Sequence, residues 1–174
     1  TMESYLVDER NTSMAAVRTA CSITTKVFKT LTTAESVTKK DKSPVTIGDF
    51  SAQATINYIL NKKFPHDGIV AEETLSDLQG EAGKTNRDKV CALVNEALQA
   101  SGEIQTPLSD DDILATIDKG AFQGGRQSRF WTLDPIDGTK GFLRGGQYAV
   151  CLALIVDGNV ELGVLGCPNL PCDK

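Results

Sequence analysis

Two carboxylates, Asp134 and Asp137, stand three positions apart where the apolar run Phe130-Trp131-Thr132-Leu133 stops. Between them lie Pro135 and Ile136, and after them Gly138, Thr139 and Lys140. Magnesium prefers oxygen ligands and binds through a few carboxylates, keeping other positions for water and phosphate oxygens. Asp134 and Asp137 can supply two of those oxygens from the ends of a tight turn. The Ile136 carbonyl, left without a ladder partner, can supply a third. Gly138 tolerates a sharp exit from the turn, and Thr139 then opens a short helical turn whose free amides favour an anion. The spacing opposes an aspartyl-phosphate mechanism, which needs alternate residues on one side of an extended strand. A metal-activated water fits better than a covalent intermediate. The same residues also read as a strand-to-turn element with no chemistry.

Two further carboxylate sites can join this turn. Ile69-Val70-Ala71 is a short apolar strand running into Glu72-Glu73. Adjacent residues at a strand end point to opposite sides, so one glutamate at most is expected to share a site with a given partner. Asp49 precedes a helical pattern carried by Phe50, Ala54, Ile56, Ile59 and Leu60, where it reads equally as an N-cap. The charged stretch from Val37, with Lys39, Lys40 and Lys42, is expected to be a loop reaching Asp49. His66, the only histidine, falls in the turn Phe64-Pro65-His66-Asp67-Gly68 and offers no ligand cluster.

The elements that must position these groups follow from periodicity. Met14, Val17, Cys21, Thr24, Phe28 and Leu31 recur at helical steps, predicting a long helix that begins before Leu6, with Asn11 to Ser13 as a polar side or a local break. Leu75 to Arg87 reads as a polar surface loop, followed by a helix to Ala100. Ser109 caps a further helix, and Asp110-Asp111-Asp112 complements its macrodipole rather than binding metal. Gly120 to Ser128 is a loop. Tyr148 to Val156 and Val160 to Gly166 form a hairpin through Asp157-Gly158-Asn159. The order helix, helix, strand, helix, helix, strand, hairpin is an α/β (α+β) mixture, with layered helices on a mainly antiparallel mixed sheet.

Composition narrows the class. The 174 residues, 40% hydrophobic and 24% charged, suit one globular domain with its own core. A net charge of −5 argues against nucleic acid and anionic membrane as partners, but leaves room for a small anion neutralised by metal. No apolar run approaches the ~20 residues of a membrane span. Thr1 to Arg10 resembles neither a signal nor a transit peptide. The five cysteines, Cys21, Cys91, Cys151, Cys167 and Cys172, lack a Cys-x-x-Cys pair and read as reduced thiols of a cytoplasmic protein.

Together these stretches resemble a known family. Leu133 to Thr139 is similar to the metal-binding signature of the inositol monophosphatase-like superfamily. Val70-Ala71-Glu72-Glu73 resembles its strand-end Gly-Glu-Glu element, with Ala71 in place of glycine, and Ser43 to Asp49 matches the segment holding its catalytic aspartate. Lys140-Gly141-Phe142-Leu143-Arg144-Gly145, Gln147 to Val150 and Gly166 to Leu170 are similar to the 3′(2′),5′-bisphosphate nucleotidases of fungi and plants.

The resemblance implies the N-terminal half of the inositol monophosphatase/fructose-bisphosphatase-like sandwich, residues 1–174 forming an α+β metal-binding phosphatase domain. It implies two or three magnesium ions held by Glu72, Asp134, the Ile136 carbonyl and Asp137, with Glu73 behind them. Asp49 and Thr139 would activate the attacking water, and the amides of Gly138 and Thr139 would contact phosphate. The implied substrate is adenosine 3′,5′-bisphosphate, or its sulfated relative, with lithium sensitivity and a place in sulfur assimilation and salt tolerance. An inositol phosphate and a non-catalytic fragment are the alternatives. The implied partner is a C-terminal segment of the same protein, carrying a further metal-ligand aspartate and the adenine and ribose contacts.

Overall fold

The computed structural model describes residues 5–33 and 43–171. Two long helices, α1 (Val7–Thr33) and α2 (Ser43–Lys63), pack along each other and cover one face of a four-stranded sheet. The sheet order is β1 (Gly68–Ala71), β2 (Arg129–Asp137), β3 (Ala149–Val156) and β4 (Asn159–Gly166). β1 pairs parallel with β2, while the other two pairings are antiparallel, giving the expected mixed sheet. Helices α3 (Gly80–Ala100) and α4 (Asp110–Asp118) pack against the far side of α2.

Alternation along the strands decides what faces the helices. Trp131, Leu133, Val150, Leu152 and Leu154 are buried beneath α1 and α2. Their neighbours Thr132, Asp134, Cys151 and Ala153 lie on the other, more open face. On that open side β4 leaves Val160 and Leu165 exposed. Asp157 and Gly158 both take positive φ, 49° and 81°, as a two-residue hairpin turn twisting with its strands requires. Ser109 caps α4 as expected, accepting from the Asp112 amide at 3.2 Å.

Three local expectations change, and one open alternative, at Asn11 to Ser13, is decided. α1 begins at Val7 and not before Leu6, because Leu6 takes a left-handed φ of 56°. It runs unbroken through Asn11 to Ser13, the Ser13 hydroxyl donating to the Arg10 carbonyl at 3.1 Å. The expected surface loop from Leu75 to Arg87 is a short 3₁₀ turn (Leu75–Leu78) followed by the first two turns of α3. Gly83 makes that junction possible, since a Cβ there would lie 2.5 Å from the Leu78 carbonyl carbon. Finally, residues 43–49 are helical, so Asp49 lies in the second turn of α2 and not at its cap. Lys39, Lys40 and Lys42, expected in a loop, lie outside the described residues.

Candidate active site

β2 continues through Asp134 to Asp137 instead of ending at a turn. In a regular strand, residues three apart would point to opposite faces. Here Asp134 pairs with Cys151 and Asp137 with Ala149, so three steps on β2 match two on β3. This bulge absorbs one residue and returns Asp137 to the face of Asp134. Pro135, which cannot donate to a ladder, sits inside the bulge where no donor is needed. Ile136 turns its side chain into the core, 2% exposed. Its carbonyl accepts a long 3.4 Å hydrogen bond from the Thr139 hydroxyl.

Gly138 follows with φ 88°, a left-handed conformation that favours glycine, and starts the short helix α5 (Thr139–Leu143). An aromatic cluster anchors α5. Phe142 meets Tyr148 edge-on at 4.8 Å and Phe28 of α1 at 5.5 Å, and the Tyr148 hydroxyl donates to Thr24 at 2.9 Å.

Asp49 reaches this region from α2, only 8% exposed, in a helix buried on nearly every side. Burial pushes its carboxyl up to about 8, with further upward pressure from Glu73, Glu72 and Asp134. Burial also raises Glu73 to about 6, helped by Glu72, Asp77 and Asp134. Asp134 rises to about 6 as well, through burial and the charges of Glu72 and Asp137, against a hydrogen bond from the Ile136 amide. β1 ends at Ala71 and Glu72 lies in a bend, and of the two adjacent glutamates Glu72 is exposed while Glu73 is half-buried.

Thus Asp49, Glu72, Glu73, Asp134 and Asp137, from α2, the end of β1 and the end of β2, share one electrostatic neighbourhood. Among the described residues no three of these carboxylates close into a ready cation cage. Nor does a hydrogen bond join Asp49 to Thr139, whose hydroxyl is turned to Ile136. The donor set still fits a hard cation. Among the described residues, Asp134 Oδ1 is buried without a hydrogen-bond partner, the one carboxylate oxygen among four such atoms, the others being on Ser51, Thr55 and Asn57. A buried carboxylate oxygen without a donor needs a counter-charge.

Two contributors were not singled out from sequence. Cys151, opposite Asp134, approaches Asp137 Oδ2 at 3.9 Å. Gln53, four residues after Asp49, bonds the backbone of Glu73. A polar residue one turn from an acidic one on the same helix was the available signal for Gln53.

Comparison with known proteins gives the chain's family and relatives. The inositol monophosphatase family profile matches residues 7–174. The chain is 49% identical over 172 residues to the 3′(2′),5′-bisphosphate nucleotidase of Schizosaccharomyces pombe, covering 95% of this chain and 48% of that protein. It is 48% identical to the protein of that name from Emericella nidulans, over 95% of this chain and 47% of the relative. It is 43% identical to 3′(2′),5′-bisphosphate nucleotidase 1 of Arabidopsis thaliana, over 94% of this chain and 47% of the relative. The chain spans about half the length of these relatives. With its mixed sheet, covering helices and clustered carboxylates, the chain belongs to the inositol monophosphatase family.

Proposed function

We propose that this chain carries the metal-binding half of a magnesium-dependent phosphatase that removes the 3′-phosphate of adenosine 3′,5′-bisphosphate, releasing AMP and phosphate. The observation that carries the reading is the convergence of five carboxylates on one end of β1 and β2, three of them raised by burial and by one another. Such a concentration of negative charge is costly to a fold and useful to a cation site. The names of the relatives supply the substrate class.

In this reading Glu72, Asp134, the Ile136 carbonyl and Asp137 hold the ions, and Glu73 supports them from behind. When bound, magnesium would lower the pKa of a water and neutralise the phosphate. Asp49 has the environment of a base. In the metal-free chain burial raises its carboxyl to about 8, and bound cations would draw it toward the ionised form that accepts a proton from water or from a hydroxyl. Thr139 relays to it by turning its hydroxyl away from Ile136, and the Gly138 and Thr139 amides hold phosphate oxygens. The sulfated relative of the substrate is expected to be accepted as well, and lithium to inhibit.

The free thiols of Cys21, Cys91, Cys151 and Cys167 support a cytoplasmic setting. Among the described residues no helix is long and apolar enough to cross a membrane. A further segment of the same protein is proposed as the partner completing the nucleoside contacts. The exposed Val160 and Leu165 on the open sheet face give it an apolar seat.

Phosphate release from adenosine 3′,5′-bisphosphate, measured with magnesium and again with EDTA, tests the proposal. Release that depends on magnesium is expected, and release equal in both conditions would overturn it. An inositol monophosphate assayed in parallel, if turned over faster, would replace the substrate.

A further inference from the structure

Gln53 is fully buried on α2, one helical turn beyond Asp49, so both side chains lie on the same face of the helix. Its amide makes a two-point contact with the backbone of one residue, Glu73, in the neighbouring chain segment. Nε2 donates to the Glu73 carbonyl at 2.8 Å, and Oε1 accepts from the Glu73 amide at 2.9 Å. Because the Glu73 N–H must meet an oxygen, this pattern also fixes which way round the amide stands. A third bond, Nε2 to the Ile117 carbonyl at 3.3 Å, ties in the last turn of α4. The approach is close enough to demand glycine nearby, since a Cβ on Gly120 would lie 3.0 Å from Nε2 and 2.7 Å from the Ala71 Cβ.

The placement matters because the ladder stops just before the glutamates. β1 pairs with β2 only as far as Ala71↔Leu133, and on its other side the Ala71 amide donates to the Gly120 carbonyl at 2.9 Å. Beyond that point both backbone polar groups of Glu73 end on a single side chain, which belongs to the helix that also carries Asp49. A helix is rigid over one turn. The distance from Asp49 to the two glutamates is therefore set by Gln53. We infer that Gln53 is the positioning residue that holds Glu72 and Glu73 in register with Asp49 and Asp134, so that the carboxylates form one cation site. The inference rests on the metal-site reading proposed above.

Asn57 supplies a built-in control. It is also fully buried on α2, and its amide donates to the Thr116 carbonyl at 3.1 Å, at the end of α4, without touching the glutamate segment. Removing either amide leaves buried backbone groups without partners and lowers stability. Only the loss of Gln53 releases Glu73.

The experiment compares the full chain with Gln53→Met, Gln53→Asn and Asn57→Leu, titrating manganese as the magnesium probe and following amide hydrogen exchange. Gln53→Met is expected to weaken manganese binding about 10- to 100-fold, the usual effect of losing a group that orients metal ligands. It is also expected to accelerate exchange at Glu73 and not within β2. Gln53→Asn, whose shorter arm cannot span both bonds, gives a smaller loss and provides a variant should Gln53→Met not fold. Asn57→Leu lowers the melting temperature while leaving manganese affinity within twofold. Unchanged affinity and unchanged Glu73 exchange in the Gln53 variants would overturn the inference. If the unsubstituted chain binds no manganese, the functional reading falls by itself. The exchange measurement then still decides whether Gln53 holds the glutamate segment.

Discussion

Asp49→Asn will lower phosphate release by about three orders of magnitude, within the ~10²–10⁴ range of a lost general base, while the metal-free protein becomes more stable at alkaline pH. The first effect follows because asparagine keeps the size of the side chain but cannot take a proton. Magnesium affinity should change only a few-fold, since the ions are assigned to Glu72, Asp134, Ile136 and Asp137. Loss of binding together with activity would show Asp49 to be a ligand instead.

The second effect follows from linkage. The Asp49 carboxyl stands at about 8 in the folded protein against an ordinary value of 3.8. The folded state thus keeps a proton that the unfolded chain releases, and unfolding is favoured as pH rises. The contribution to stability is fully present below about 3.8 and is lost progressively as pH climbs toward 8. At ~1.4 kcal/mol for each tenfold change in proton affinity, the Asp49 contribution is on the order of 5 kcal/mol. Asp134 and Glu73, both near 6, add smaller losses of the same sign between their ordinary values and about 6. Melting temperatures in EDTA across pH 4 to 9 should therefore fall with rising pH, and the Asp49→Asn curve should be flatter. Parallel curves would sink the argument. Added magnesium should raise the melting temperature more at pH 8 than at pH 5, because the site is more fully ionised there.

Gly141→Ala is expected to damage the site without touching a carboxylate. A Cβ on Gly141 would run into the Gln147 carbonyl oxygen, which is backbone and cannot rotate away. The Gly146 amide also donates to the Gly141 carbonyl at 2.8 Å, so the two segments are tied at this contact. Forcing them apart lifts α5 from Phe28 and Tyr148, and with it Thr139 and the amides proposed to hold phosphate. Overpacking of this kind costs about 1–3 kcal/mol or more. A melting temperature lowered by several degrees and activity reduced at least ~100-fold are expected, since small displacements of positioning groups have that effect. Wild-type turnover in Gly141→Ala would show that α5 plays no part in holding substrate.

What could be read in the residues, and what could not, divides along physical lines. The hairpin at Asp157-Gly158, the Ser109 cap and the amphipathic face of α1 are local signals, carried by turn chemistry and period, and they hold. The carboxylates proposed for the site stand out in the residues for another reason, since Glu72, Asp134 and Asp137 fall at strand ends, where carboxylates have few structural uses. α2 was harder to read because it is buried almost all round. Ser51, Gln53, Thr55 and Asn57 are each fully buried beside Phe50, Ala52, Ala54 and Ile56, so polar and apolar residues alternate without an amphipathic face. That hid both the early start of the helix and the role of Gln53, whose partners lie 20 and 64 residues away. The bulge in β2 was hidden for a different reason. An extra residue in a strand shows only when the partner strand is known, and Pro135 alone suggested an ending.

The parallel pairing of β1 with β2 has a consequence for the order in which the molecule assembles. β2, β3 and β4 form a meander of sequence neighbours, whereas Gly68 meets Phe130 only after α3 and α4 have been placed between them. Closing so long a loop costs entropy before any contact repays it, so this pairing is expected late in folding. The carboxylates that follow β1 and those at the end of β2 then meet only at the final step, and their mutual repulsion weighs on that step rather than on early collapse. Trp131, the only tryptophan, lies between Ile69 and Leu154 and reports on both pairings. Its fluorescence during refolding should show a last phase that slows as pH rises from 5 to 8 and quickens when magnesium is present. A last phase indifferent to both would place the carboxylate encounter earlier.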